Sequence, residues 1–101
     1  MSQFDYQAIN GLIHSRIRLS IIALLVSCKE APFVFIRDKT GSTDGNLSVQ
    51  LRKLEDASLI SVQKEFVNRK PISKYSITED GRKAFQQYVN HIESLLNIGE
   101  L

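Results

Sequence analysis

Apolar residues recur at helical spacing in the middle of the chain. Leu47, Leu51 and Leu54 follow one another at intervals of four and three residues, which places them in a single stripe along one side of a helix. Gly41 precedes them and suits the left-handed residue that ends an earlier helix, because glycine has no Cβ. The pattern predicts a helix over residues 43–57 that begins directly after a tight turn.

Two further helices are predicted before this central one. The first covers residues 12–28, a stretch without glycine or proline in which Ser15 can cap the start. The second is shorter, has Phe33, Ile36 and Thr40 on one face, and ends before the glycine of the turn. Two helices joined by a tight turn in this way form a helix-turn-helix.

After the central helix the apolar period changes from 3.6 to 2. Ile60, Val62 and Phe66 alternate with polar residues, turn-forming residues occupy 67–71, and the alternation resumes at Tyr75. The pattern predicts a two-stranded antiparallel hairpin. Because an isolated hairpin is only marginally stable in water, we expect its apolar side to lie on the helices.

A long helix is predicted over residues 78–98, with Thr78 as its cap. Its apolar residues recur at coiled-coil spacing and make more apolar surface than one edge of a small domain covers. Packing on residues 12–28 of the same chain would account for part of this surface. We expect the rest to pair with the N-terminal segment across the two-fold axis of a homodimer. The predicted dimer contacts are Phe4, Tyr6, Ile9, Tyr88, Ile92, Leu95 and Leu96.

These elements predict a mainly α (α+β) fold, a winged helix-turn-helix with a helical core, a two-stranded wing and a long C-terminal helix. Residues 1–101 are long enough for one domain only, with 1–11 as an N-terminal extension. The single cysteine, Cys28, excludes an intrachain disulfide and is typical of a reducing compartment. The apolar run at 19–26 is too short to span a bilayer. We therefore expect a cytoplasmic protein that does not enter a membrane.

The helix face opposite the leucine stripe carries small, amide and basic residues. A helix that enters a major groove needs small residues at the close approach, polar groups for phosphates or base edges, and an arginine for guanine. An ordinary amphipathic helix with a solvated polar face is the alternative, and this helix taken alone favours it. Either Ser42 or Thr43 can cap the helix. The residues of this face are Gly45, Asn46, Ser48, Val49, Arg52 and Lys53.

The hairpin tip is basic although the net charge of the chain is only +2. Arg69 and Lys70 lie at the turn, and cations there also protect an edge strand from aggregation. Directly after a helix-turn-helix, a wing over 66–73 that contacts phosphates or a minor groove is the more economical interpretation.

Three strings, TGSTDGNLSVQLRKLEDASLI, KEFVNRKPISKYSIT and TEDGRKAF, resemble those of small single-domain winged-helix transcriptional regulators of bacteria and archaea, of the MarR-like kind. The likeness covers residues 13–88. The chain departs from the pattern at Arg16, Ser42 and Ser58, where relatives usually have a proline, an apolar residue and a helix-ending glycine. The helix face and the resemblance together predict sequence-specific binding to double-stranded DNA by a repressor. The predicted DNA-binding residues are Thr43, Asp44, Gly45, Asn46, Ser48, Val49, Arg52, Lys53, Arg69 and Lys70.

Enzymatic functions find little support in the sequence. His14 and His91 are not at metal-ligand spacing, no second cysteine is available for a zinc site, and no glycine-rich phosphate loop follows a strand. We predict no enzyme activity, no cofactor and no metal, and the sequence assigns no small-molecule effector. A protein-interaction module and an RNA-binding module remain as alternatives, since winged helices and related folds serve both purposes.

Overall fold

Four helices and three strands follow one another along residues 10–99, the part of the chain that the structure, a computed structural model, describes. This order confirms the predicted mainly α (α+β) class and the winged helix-turn-helix layout. The elements are α1 (Arg16–Ser27), β1 (Ala31–Pro32), α2 (Phe33–Thr40), α3 (Asp44–Asp56), β2 (Ile60–Val67), β3 (Lys70–Ile77) and α4 (Glu79–Gly99).

The core lies around α1. This helix contacts α2, α3, β3 and α4, so it is wrapped on most sides by the rest of the chain. Ile21, Ile22 and Leu25 of α1 are completely buried, and Ile36 of α2 meets them. The burial of so much aliphatic surface on one helix fixes where α2 and α3 lie and therefore which face of each remains in solvent.

Helix α1 begins at Arg16 and not at residue 12 as predicted. The Asn10 side chain explains the difference, because its Oδ1 accepts the backbone N–H groups of Leu12 and Ile13 at 2.9 and 3.2 Å and closes a separate turn. Ser15 is extended, with φ −148° and ψ 133°, and its side chain accepts from the Arg18 N–H. The predicted cap at Ser15 is therefore confirmed.

The sheet has the order β1-β3-β2 and is antiparallel throughout. Strands β2 and β3 form the predicted hairpin, and Val67 pairs with Lys70 across its turn. Strand β1 is an addition to the prediction, with Ala31 opposite Tyr75. A strand of two residues is too short to show an alternating pattern, which is why the sequence did not reveal it.

The hairpin extends beyond the helices that support its base. Ile60 and Tyr75 at the base are buried, whereas Phe66, on the same side of β2 as Ile60, is 77% exposed. Alternation therefore predicted the side on which Phe66 lies. The expectation that this whole side packs on the helices was wrong at Phe66, because the helices do not reach that far along the wing.

Candidate nucleic-acid interface

Helix α3 places its apolar stripe fully inside and its polar face fully outside. Leu47, Leu51 and Leu54 retain at most 1% of their accessible surface. Because these three residues fix the rotation of the helix, the opposite residues must face solvent. The exposed residues at its start and along this face are Thr43, Asp44, Gly45, Asn46, Ser48, Val49, Arg52 and Lys53.

The start of α3 is anchored by the turn before it. Gly41 has φ 67°, and its N–H donates to the Arg37 carbonyl at 2.9 Å, so it ends α2 in the left-handed conformation that was predicted. Thr43 caps α3, with its Oγ1 accepting the Asn46 N–H at 3.2 Å. These local bonds set the angle between α2 and α3.

An ion pair joins the two helices across the same turn. Arg37 Nη1 lies 3.0 Å from Asp44 Oδ1, and Arg37 Nε lies 3.3 Å from Asp38 Oδ1. The hydrogen bond to Asp44, followed by that to Asp38, raises the pKa of Arg37 above its ordinary value. The Asp44 carboxylate is thus balanced by a cation, which reduces its repulsion of a polyanion beside α3.

A chain of three polar side chains runs from α1 to the exposed face of α3. Arg18 Nε donates to the Leu12 carbonyl, and Arg18 Nη1 donates to Gln50 Oε1, both at 2.5 Å. Gln50 Nε2 then donates to Asn46 Oδ1 at 3.2 Å. We call Arg18, Gln50 and Asn46 the amide relay. It ends at an exposed residue of the predicted DNA-binding face.

The wing carries its unbalanced cations at the tip. Asn68 and Arg69 form a two-residue turn with φ 53° and 66°, the conformation of a type I′ hairpin. Arg69 and Lys70 are both exposed. Glu65 is the only acidic residue between 61 and 77. Its carboxylate forms an ion pair with Lys74.

Lys74 is neutralised and does not contribute to that positive tip. Its Nζ lies 2.8 Å from Glu65 Oε1 and 3.7 Å from Glu30 Oε1. The hydrogen bond to Glu65, with the charges of both carboxylates, raises the pKa of Lys74 above its ordinary value. Since all three side chains are partly exposed and solvent screens their charges, the pairs add little to stability. They leave Lys64, Arg69 and Lys70 as the wing cations without an ion pair within residues 10–99.

Thr78 connects the base of the wing to the start of α4 and to the segment that follows α3. Thr78 Oγ1 accepts the Gly81 N–H at 2.9 Å and donates to the Ser58 carbonyl at 2.7 Å. A Cβ at Gly81 would collide with the Leu59 carbonyl oxygen and lie 2.8 Å from Cγ1 of Ile77. The glycine at the start of α4 is therefore explained by close packing of α4 on Leu59, which follows α3, and on Ile77 of β3.

Two cations that the sequence did not single out for DNA binding line a polar cavity of about 430 Å³ beside α3. Arg16 is the first residue of α1 and Lys39 lies in the last turn of α2, and Thr43 and Asn46 form the opposite wall. Neither cation forms an ion pair within residues 10–99. Because Arg16 and Lys39 are 23 positions apart in the sequence, only the fold brings them together.

A family model described as a winged helix DNA-binding domain matches residues 17–96. The chain belongs to the winged helix DNA-binding domain family. An uncharacterized protein of Methanocaldococcus jannaschii is 32% identical over 84 residues, which cover 83% of this chain and 91% of that protein. Family membership confirms the predicted function class, which is DNA binding.

Solved structures share the same winged helix architecture. A transcriptional regulator homologue from Pyrococcus horikoshii OT3 has a TM-score of 0.84 at 24% identity, covering 94% of this chain and 95% of that one. A protein from Enterococcus faecalis V583, assigned to the MarR family of transcriptional regulators, has a TM-score of 0.69 at 22% identity, covering 99% and 90%. At these identities the likeness concerns the fold, which is the MarR-like winged helix predicted from the sequence.

The predicted dimer residues of this winged helix have different surroundings. Phe4, Tyr6 and Ile9 lie outside the described residues. Tyr88 is buried in its own chain, and its hydroxyl lies 2.9 Å from Nδ1 of His14. Ile92 lines an apolar cavity of about 320 Å³ between α1 and α4. Leu95 and Leu96, by contrast, are 47% and 64% exposed.

Helices of this winged helix do not resemble membrane spans. Between residues 10 and 99, no helix is both long enough and apolar enough to cross a bilayer.

Proposed function

We propose that this winged helix is a cytoplasmic transcriptional repressor that binds specific sequences in double-stranded DNA as a homodimer. Helix α3 enters the major groove and the wing lies on the flanking backbone or in the minor groove. The observation that carries this proposal is the division of α3, whose leucines are wholly buried while every predicted DNA-binding residue on it is exposed. In a two-fold symmetric dimer, the two half-sites lie about 10 base pairs apart, or a small multiple of that distance.

The chemistry of the exposed face suits a DNA groove. Gly45 allows the backbone of the first turn to approach closely, and nothing lies within 4 Å of the position that its Cβ would occupy. Arg52 follows two turns later and has the forked guanidinium that pairs with O6 and N7 of guanine. Small residues at the entering end and an arginine further along are the arrangement that a recognition helix requires.

Exposed cations outside α3 support the same proposal. Arg69 and Lys70 are exposed at the wing tip, and Arg16 and Lys39 line the cavity beside the start of α3. The first turn of α1 contains no acidic residue, so Arg16 lies at the positive end of the helix dipole without compensation. A DNA phosphate in that cavity would provide the missing negative charge, and we assign Arg16 and Lys39 to backbone contacts.

The proposal is tested by titrating the protein with its selected DNA site and with random duplex in a mobility-shift assay. We expect Arg52→Ala to lose about 1 to 3 kcal/mol on the selected site and to bind random duplex almost unchanged, because its contact is to a base. Lys70→Ala should weaken binding to both duplexes equally and lower the salt slope by about one, because its contact is to a phosphate.

Lys83→Ala on α4 is the matched control, since it removes the same charge from an exposed position away from α3. It should leave both affinities close to those of the unaltered protein. Unchanged specific binding by Arg52→Ala would show that α3 does not read bases. Preference for RNA hairpins or single strands over duplex DNA would favour the RNA-binding alternative instead.

A further inference from the structure

We propose that Gln50 and Arg18 determine which bases Asn46 can read, although both lie behind it. The inference rests on the proposed function, since it assumes that α3 enters a major groove. Its basis is the amide relay, in which each hydrogen bond leaves only one orientation for the next side chain. Gln50 and Arg18 are thus positioning residues that fix base preference through a third residue.

The orientation of the relay follows from the inventory of donors and acceptors. A guanidinium has N–H donors and no acceptor, so Arg18 can only be met by the oxygen of the Gln50 amide. The nitrogen of that amide must then point the other way, towards Asn46. Asn46 consequently offers its oxygen to Gln50 and directs its NH₂ group away from it.

Arg18 is itself held in place, which makes the relay directional. Its Nε donates to the Leu12 carbonyl at 2.5 Å, in the turn that precedes α1. Both Arg18 and Gln50 are half-buried, whereas Asn46 is exposed. A fixed, partly buried cation therefore specifies the orientation of an amide on the surface that faces DNA.

The surface of α4 carries a similar amide pair without this support. Gln86 Nε2 donates to Asn90 Oδ1 at 3.1 Å, again over four residues of one helix, and both residues are exposed. No cation donates to Gln86 among the hydrogen bonds of residues 10–99. The two amides of that pair can therefore rotate by 180° together, which exchanges donor and acceptor and keeps the hydrogen bond. The cation on the α3 pair is what removes this freedom.

The fixed orientation has a consequence for base recognition. In the major groove guanine presents acceptors at N7 and O6, thymine presents an acceptor at O4, and cytosine presents only the N4 amino donor. An Asn46 that offers its NH₂ group is complementary to guanine, thymine or N7 of adenine. It has no acceptor in position for the cytosine amino group, so we expect cytosine to be disfavoured as the base that Asn46 itself contacts.

The decisive variant is Gln50→Glu. A carboxylate can still accept from Arg18, but it cannot donate to Asn46, so the Asn46 amide must turn its NH₂ group inward and its oxygen towards DNA. Binding sites selected from a random pool by the variant should then contain cytosine or adenine at the position where the unaltered protein selects an acceptor-bearing base. We expect the guanine-to-cytosine affinity ratio at this position to change about tenfold.

Three controls assign the effect to the relay. Asn46→Ala identifies the contacted position, because preference should disappear there and nowhere else. Gln50→Ala should bring the guanine-to-cytosine ratio close to one without inverting it. Gln86→Glu introduces the same charge into the amide pair on α4 and should leave the selected sequence unchanged. A uniform loss of affinity from the added negative charge does not affect the ratio.

The outcomes separate this inference from the function on which it rests. Identical selected sequences for the unaltered protein and Gln50→Glu, when both bind duplex DNA and both fold by circular dichroism, would overturn the role of the relay alone. Absence of specific duplex binding by the unaltered protein would overturn the relay and the proposed function together. An inverted preference at the Asn46 position supports both.

Discussion

Helices α3 and α4 each leave one face uncovered, but the two faces differ in chemistry. On α3 every leucine of the stripe is buried and the uncovered side is polar and basic, whereas on α4 Leu95 and Leu96 remain exposed. A polar, cationic face is stable in water and matches a polyanion, while neighbouring exposed leucines match another apolar surface. The comparison agrees with the proposed homodimer, in which α3 faces DNA and the exposed leucines of α4 face the partner protomer.

The largest difference between the two helices is expected in the free energy of unfolding when one leucine on each is replaced by alanine. Leu51→Ala should lower the free energy of unfolding by about 2 to 5 kcal/mol, because it leaves a cavity in the core beneath α3. Leu96→Ala should change the free energy of unfolding of the monomer by less than about 0.5 kcal/mol, because Leu96 is exposed. Urea denaturation followed by circular dichroism at low protein concentration measures both, and equal losses would contradict the division between the helices.

A smaller effect is expected for self-association, and here the substitution on α4 matters more than the one on α3. Leu96→Ala should weaken the proposed dimer by about 1 to 2 kcal/mol per protomer, since the lost apolar contact is one that the free monomer exposes. Sedimentation equilibrium of the full chain measures this change. Val49→Ala, which truncates an exposed residue of α3, is the control and should leave association unchanged. A protein that remains monomeric at all concentrations would remove the basis for this second surface.

The smallest effect concerns the junction that connects the end of α3 to the start of α4. Ser58 adopts φ 61°, a left-handed conformation that disfavours any residue with a Cβ. Ser58→Gly should therefore raise the free energy of unfolding by about 0.5 to 1 kcal/mol, whereas Ser61→Gly in strand β2 should lower it. Thermal unfolding of both variants tests the sign, and stabilisation by Ser61→Gly would show that the effect is not conformational.

Local features were predictable from the sequence because neighbouring residues determine them. The leucine stripe, the cap at Ser15, a cap at Ser42 or Thr43 and the left-handed Gly41 all follow from spacing and side-chain type over a few positions, and the structure assigns the second cap to Thr43. Ser58 was recognised as a position where glycine is usual, and its positive φ supplies the physical reason.

Features that join distant parts of the chain were not predictable in this way. Arg18 and Gln50 are 32 positions apart, and neither belongs to a pattern that marks it as a partner of the other. The cavity cations Arg16 and Lys39 meet only because α1 and α2 pack together. The exposure of Phe66 depends on how far the helices extend beneath the wing. The alternation of apolar and polar residues in β2 carries no information about that distance.

The turn of the wing has a consequence for how such proteins diverge. Arg69 occupies a left-handed position where glycine would be easier to accommodate, and this conformation costs about 1 to 2 kcal/mol for a residue with a side chain. A descendant that no longer used this hairpin tip would gain folding stability by acquiring glycine there. The residue at position 69 should thus distinguish relatives whose wing tip is selected for contact with DNA from relatives in which the tip is only a turn.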